Sequence, residues 1–287
     1  MLLGAAPVSL PDFQTGFLTE PDGAVRPYVA IGSGPMPMVV IPGVADGLRT
    51  CVDVAVYLAW FYRERARSCR LLILSRREPI PEGFGVARHA QDMIRTVEEL
   101  NFFPAVWECL SAAGPIGQWA AVDRPDLVSG LILTSSYDHV TAPTREVLQQ
   151  WLNIAEQAGS DRFWEMFEPK FRPPADVLAQ VDPAQLPGRP QARDPTRLKR
   201  ILTELLDLDH RTLVPRIACP TLVIGGEDDR VVPPDVQRAM AGRIANHVLE
   251  ICPGYGHLND MENPAYQQSV DRFLCAVTGS ANGRVGC

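Results

Sequence analysis

The sequence predicts an α/β protein with a mostly parallel central sheet and helices on both faces. Three observations carry that expectation. Short apolar, β-branched runs alternate along the chain with stretches of helical spacing. The runs lack the apolar–polar alternation of half-exposed strands, so both of their faces are expected to be covered. Gly or Pro bounds several of them, which separates strand from helix.

Taken in order, the first clear strand is the MPMVVIP run at 36–42, followed by helical spacing over 51–67 and a second strand at 71–74. A helix at 87–100, a strand at 105–109, a helix at 112–122 and a strand at 131–134 continue the alternation. It then stops. Residues 137–213 hold no sheet-like run but three amphipathic stretches, 146–157, 161–171 and 196–208, with Pro173, Pro174, Pro183, Pro187 and Pro190 between or beside them. Strand pattern returns at 220–225, followed by a helix at 234–244, a strand at 247–252 and a helix at 264–277. The tail from Thr278 to Cys287 is polar and contains glycine, so fraying is expected. The chain therefore divides into a first part of an α/β core (1–136), a helical insertion (137–213) and a second part of the core (214–287).

Composition narrows the function. The 287 residues carry 27 basic and 34 acidic side chains, a net charge of −7, with no basic run to suit nucleic acid or an anionic membrane. No apolar stretch approaches the roughly 20 residues of a membrane-spanning helix, and the N-terminal residues lack a basic n-region, so a cytoplasmic protein is expected. The seven cysteines are scattered, without C-x-x-C spacing, and read as reduced, mostly buried thiols. His89, His139, His210 and His247 show no metal-ligand spacing, and no G-x-G-x-x-G or Walker loop is present. Neither a metal nor another cofactor is expected.

In open α/β sheets the chemistry sits at the carboxyl ends of the strands, and three such ends carry reactive side chains. The strand at 105–109 runs through Leu110 into Ser111-Ala112-Ala113-Gly114 and then a helix, the pattern of a tight turn that lifts a serine hydroxyl to the sheet edge. The next-to-last strand leads to Glu227-Asp228-Asp229, and the last leads to Gly254-Tyr255-Gly256-His257. A hydroxyl is a poor nucleophile near neutrality unless a base takes its proton, and an imidazole base needs a carboxylate to fix its tautomer. Ser111 as nucleophile, His257 as base and Asp228 or Asp229 as orienting acid supply those parts. The pattern alone does not choose between the two aspartates.

The order serine, acid, histidine, with Asp123-Arg124-Pro125 after the serine's helix and the blocks CPTLVIGGEDDRVVPPD and GYGHLNDMENP downstream, resembles the α/β-hydrolase superfamily over roughly residues 36–277. The resemblance implies an α/β-hydrolase fold with a helical cap inserted after the sixth strand. The spacing to Pro233 matches the family only for Asp229. It also implies an oxyanion hole made by the backbone N–H groups of Ala112 and Val44. The sequence departs from the family at the elbow, where Cys109 and Ala113 replace the two glycines of G-x-S-x-G, and in the oxyanion loop, where Pro42-Gly43 replaces His-Gly. Cys109 is the rival nucleophile. That register places Trp107 at a cramped flanking position, so a structural thiol is expected.

The apolar insertion, with Trp151, Phe163, Trp164, Phe167 and Phe171 at near-helical spacing, suggests a small to medium hydrophobic substrate. The resemblance implies carboxylesterase or lactonase activity first, on an ester or lactone. A diketone-like substrate cleaved at a C–C bond uses the same three residues, and a non-catalytic ligand receptor on this fold is the alternative from another class. Arg76 and Arg77 could meet an anionic group but read more simply as a solvated loop; Asp46 could touch substrate or cap a turn.

Overall fold

The computed structural model describes residues 10–167, 174–179 and 195–282. Eight strands form one sheet: β1 (Phe13–Thr19), β2 (Val25–Ile31), β3 (Met36–Ile41), β4 (Cys69–Leu74), β5 (Ala105–Leu110), β6 (Val128–Thr134), β7 (Thr221–Gly226) and β8 (His247–Cys252). Their spatial order is β1-β2-β4-β3-β5-β6-β7-β8. The β1–β2 and β2–β4 pairs are antiparallel and all the others parallel. The six expected strands are present. The first two were not expected. β1 is half exposed with no continuous apolar run, and Pro27 interrupts β2. The signal that could have found this pair is Pro21-Asp22-Gly23, a turn sequence whose Gly23 N–H bonds the Glu20 carbonyl at 2.9 Å.

Helices α1 (Ala55–Phe61), α2 (Val86–Glu99) and α3 (Gly114–Asp123) connect the first parallel strands; α4 (Ala142–Phe167), α5 (Ala175–Leu178) and α6 (Thr196–Leu205) lie between β6 and β7; α7 (Pro234–Ala241), α8 (Asn259–Glu262) and α9 (Tyr266–Asn282) complete the chain. Alternate residues of each strand feed opposite layers. Val39, Ile41, Trp107 and Leu131 pack with α2, α3 and α7 on one face. Met38, Val40, Val106 and Ile132 pack with α1 and α9 on the other. A side chain such as Leu131, fully buried, gains roughly 1.5–3 kcal/mol over its exposed state. This two-sided burial is why the central strands read as mostly apolar runs.

Three boundaries differ from expectation. The stretches 146–157 and 161–171 were expected as separate helices, but α4 is continuous to Phe167, because backbone hydrogen bonding carries it through Gly159. The helical spacing over 51–67 is realised as two short 3₁₀ turns flanking α1. Residues 278–282, expected to fray, continue α9. Cys51, Cys69, Cys109, Cys219 and Cys252 are free thiols, but Cys275 is disulfide-bonded, which corrects the expectation of reduced cysteines. Among the described residues no helix is long and apolar enough to cross a membrane.

Between β6 and β7 the described residues hold helices and no named strand, as the loss of sheet pattern over 137–213 suggested. α6 packs on the 3₁₀ turn Val44–Gly47 that follows β3; its Leu198, Ile201 and Leu202 join Val44, Leu48 and Ala112 in a third apolar cluster. The chain order reverses between β3 and β5, the two neighbours at the centre of the sheet. A crevice opens at such a reversal, beyond the carboxyl ends of the strands.

Candidate active site

The segment after β5 turns tightly at the edge of this crevice. Ser111 has φ +49°, a left-handed conformation that costs a non-glycine residue on the order of 1–2 kcal/mol. A 3₁₀ turn, Ser111–Ala113, then leads directly into α3. The small residues around the turn have visible reasons. Cys109 is fully buried and points at Gly117 of α3, where an added Cβ would lie 2.4 Å from its Sγ. Sulfur thus fills the strand–helix contact, and burial pushes the Cys109 thiol far above its ordinary range. Cys109 is a packing residue.

Ser111 Oγ lies 2.9 Å from His257 Nε2, and His257 Nδ1 lies 2.9 Å from Asp229 Oδ2. A carboxylate only accepts, so Nδ1 carries the ring proton and Nε2 is left to accept from the serine hydroxyl. Asp229 Oδ1 accepts the N–H groups of Val231 at 2.8 Å and Val232 at 2.9 Å, and Gln237 Nε2 approaches Oδ2 at 3.5 Å. These bonds satisfy a buried carboxylate and aim its other oxygen at the ring. Asp228 is exposed, and its N–H bonds the Tyr255 carbonyl at 2.9 Å. Of the two aspartates, Asp229 is the one whose carboxylate reaches the imidazole.

The acid and base loops are knitted together by backbone. Glu227 N–H bonds the Cys252 carbonyl, as Asp228 N–H does that of Tyr255. At Gly226 any Cβ would sit 2.1 Å from the Tyr255 oxygen, so this close approach requires glycine.

Val44 opens one 3₁₀ turn and Ala112 is the second residue of another. The leading N–H groups of such turns have no acceptor within the turn, which makes both available to an anion. Val44 and Ser111 line a cavity of about 290 Å³ together with Tyr57, Phe61, Trp151 and Met261. Trp151 comes from α4; Phe163, Trp164, Phe167 and Phe171 have side chains outside the described residues. The volume is near the lower end of ligand pockets, which run from roughly 300 to 1,000 Å³.

One acid in this apolar wall was not singled out from sequence. Asp260, in the first turn of α8, has its carboxyl pushed up to about 7, by burial first and by the nearby carboxylate of Glu108 second. Glu108 itself accepts the Tyr266 hydroxyl at 2.6 Å.

Arg76 and Arg77, read as a solvated loop, are 2% and 6% exposed. Arg77 bonds the Asp22 carboxylate, while Arg76 and Asp46 form a buried pair beneath the loop that carries Val44. Their burial depends on partners far away in the chain, which local composition does not show. Ser136 was also missed: its Oγ donates to the Ser111 carbonyl at 2.9 Å. Its place just beyond the carboxyl end of β6, the same rim that carries the other site residues, is the signal that could have found it.

A nucleophile-like serine on a strand–turn–helix, facing an acid from the end of β7 and a histidine from the end of β8, defines a class. A model of the alpha/beta hydrolase family matches residues 38–266, and the chain belongs to that family. It is 30% identical over 190 residues to a protein of Klebsiella pneumoniae named "Putative carbamate hydrolase RutD", with 62% of this chain and 68% of that one covered. Solved structures share the fold. A thermophilic esterase from Thermogutta terrifontis superposes with TM-score 0.68 at 22% identity, over 92% of this chain and 99% of that one. The enol-lactonase from Burkholderia xenovorans LB400 gives 0.69 at 19%, over 88% and 97%. This chain is thus a hydrolase of the alpha/beta fold.

Proposed function

We propose that the protein is a cofactor-independent serine hydrolase that cleaves a small to medium hydrophobic ester or lactone. The observation that carries the reading is the continuous hydrogen-bonded line Ser111–His257–Asp229 at the wall of an apolar cavity. Ser111 Oγ attacks the substrate carbonyl carbon while its proton passes to His257 Nε2. The Val44 and Ala112 N–H groups hold the negative oxygen that forms. When the tetrahedral intermediate collapses, the alkoxide leaves with the proton from His257, and the acyl group stays on Ser111. Water, deprotonated by the same imidazole, attacks the acyl carbon; the acid is released and the proton returns to Ser111. Asp229 holds the tautomer and stabilises the imidazolium without taking a proton. No group beyond these side chains and water is required. In this reading α4 to α6 act as the cap of an otherwise conventional core.

A carbamate is the second reading, favoured by the likeness to proteins named for carbamate hydrolysis. The test is a panel of p-nitrophenyl esters of increasing chain length, simple lactones, an aryl carbamate and a vinylogous diketone, each with the wild type and with Ser111→Ala. Short esters or lactones are expected to turn over best, with kcat falling about 10⁴-fold or more in Ser111→Ala while melting temperature is kept. Preferred cleavage of the diketone points to C–C bond hydrolysis. Binding of panel members without turnover points to a receptor, and turnover unchanged in the variant removes Ser111 from the reaction.

A further inference from the structure

We propose that Ser136 and Arg76 are positioning residues for the oxyanion hole: each fixes, through a carbonyl on its far side, one of the two peptide planes that present the Val44 and Ala112 N–H groups. The inference rests on the acyl-transfer reading above. It follows from peptide planarity. The N–H of one residue and the C=O of the residue before it share a rigid plane and point in opposite directions, so anchoring the carbonyl aims the N–H.

For Ala112 the carbonyl in question is that of Ser111, and the Ser136 hydroxyl donates to it at 2.9 Å. Ser136 is fully buried and is not part of the cavity wall, so it acts from behind the turn and not on substrate. The anchor matters because Ser111 sits at φ +49°, where the backbone gains by relaxing unless it is held.

For Val44 the carbonyl is that of Gly43, which accepts from Arg76 Nη1 at 3.3 Å; the same nitrogen lies 3.4 Å from the Pro42 carbonyl. Arg76 Nη2 donates across to the Ala112 carbonyl at 3.1 Å, so one guanidinium spans both halves of the hole. Arg76 is itself caged. Asp46 Oδ2 accepts its backbone N–H at 3.0 Å and its Nη1 at 3.3 Å. Arg197, from α6, bonds the same Asp46 oxygen at 3.1 Å and the carbonyls of Arg76 and Arg77 at 2.8 and 2.6 Å. All three charged side chains are at least nine-tenths buried. A planar fork that reaches several carbonyls at once is a geometry arginine offers and lysine does not. Donation to a peptide carbonyl also polarises the unit, making its N–H a stronger donor to an anion.

The measurement compares Ser136→Ala and Arg76→Gln with the wild type in three readouts: ester kcat and KM, affinity for a trifluoromethyl ketone that forms a tetrahedral adduct, and affinity for the matching unreactive alcohol. The expected result is kcat lower by about 10-fold in Ser136→Ala and about 10²-fold in Arg76→Gln. KM and affinity for the alcohol should stay within twofold, and affinity for the ketone should fall in step with kcat. Ser136→Ala only removes an oxygen, and it keeps the question open to test should Arg76→Gln fail to fold. Wild-type kcat in Ser136→Ala overturns the inference, as does equal weakening of both ligands, which marks general damage. A wild type that neither hydrolyses esters nor binds the ketone covalently is a different outcome: it removes the hydrolase reading, and this inference with it.

Discussion

Asp229 reaches His257 where its neighbour Asp228 does not, a choice that the chain pattern left open; Ser111 and His257 could be read from the chain, each announced by a strand, a turn of small residues and a reactive side chain at the strand's end. Arg76 could not. Its burial depends on Asp46 30 positions before it and on Arg197 121 positions after it, and nothing near Arg76 signals either partner. Asp260 was missed for a similar reason, since only the assembled cavity shows that its carboxyl faces apolar side chains and a second buried acid. Its consequence is measurable. With the Asp260 carboxyl raised to about 7 from an ordinary 3.8, the folded protein binds a proton that the unfolded chain has already released. That contribution favours folding below pH 4 and is lost as pH rises through 7. Asp260→Asn should therefore raise the melting temperature at pH 8, by a stabilisation on the order of 4 kcal/mol, and change it little at pH 4. Equal melting curves for variant and wild type at pH 8 would show that Asp260 is not held in this way.

Among the elements, the parallel strands were legible, and the antiparallel pair β1–β2 at one edge was not. β3 to β7 hold mostly buried apolar residues because helices cover them on two sides; β1 lies half in solvent and carries little pattern, and β8, the opposite edge, has no buried residue yet keeps Val248, Leu249, Ile251 and Cys252 as a readable strand. The join between α3 and the residues after α6 offers a separate test. His210 Nδ1 lies 2.9 Å from Gln118 Oε1, and Trp119 Nε1 donates to His210 Nε2 at 3.1 Å, an arrangement that requires the neutral ring. Burial pulls the His210 imidazole down to about 4, against the opposing pull of Asp138 and Asp209. The unfolded chain then binds the extra proton between about pH 6.5 and 4, so this contribution is present above 6.5 and lost as pH falls through that window. The loss should be on the order of 2–3 kcal/mol. His210→Gln, compared with wild type by thermal melts from pH 7 to 4.5, should show a shallower decline on acidification. Parallel declines would assign the acid sensitivity elsewhere.

At the scale of the whole molecule, the insertion between β6 and β7 is tied to the core at the reacting edge. α6 meets the Val44–Gly47 turn with Leu198 and Ile201, and Arg197 passes beside them into the buried Asp46–Arg76 pair. Removing Arg197 leaves the Asp46–Arg76 pair balanced but takes the donor from the buried carbonyls of Asp46, Arg76 and Arg77, at about 1–3 kcal/mol for each acceptor left unsatisfied. Arg197→Met should lower the melting temperature and reduce ester kcat together, because the same side chain supports both fold and oxyanion loop. A stable variant with full activity would separate the insertion from the site. Sequence pattern set the helical stretches between β6 and β7 apart from the strands; it did not show the buried ion cluster that fastens α6 to the loop after β3.

The central claim is that three residues brought from separate strand ends make one hydroxyl nucleophilic. The most direct measurement is intact-mass and peptide mapping after exposure to a fluorophosphonate, for wild type and His257→Ala. One adduct per chain, on Ser111, formed far more slowly when the imidazole is absent, is the expected result. A wild-type chain that stays unmodified, or one that carries the phosphonyl group on another residue while Ser111 remains free, would contradict it.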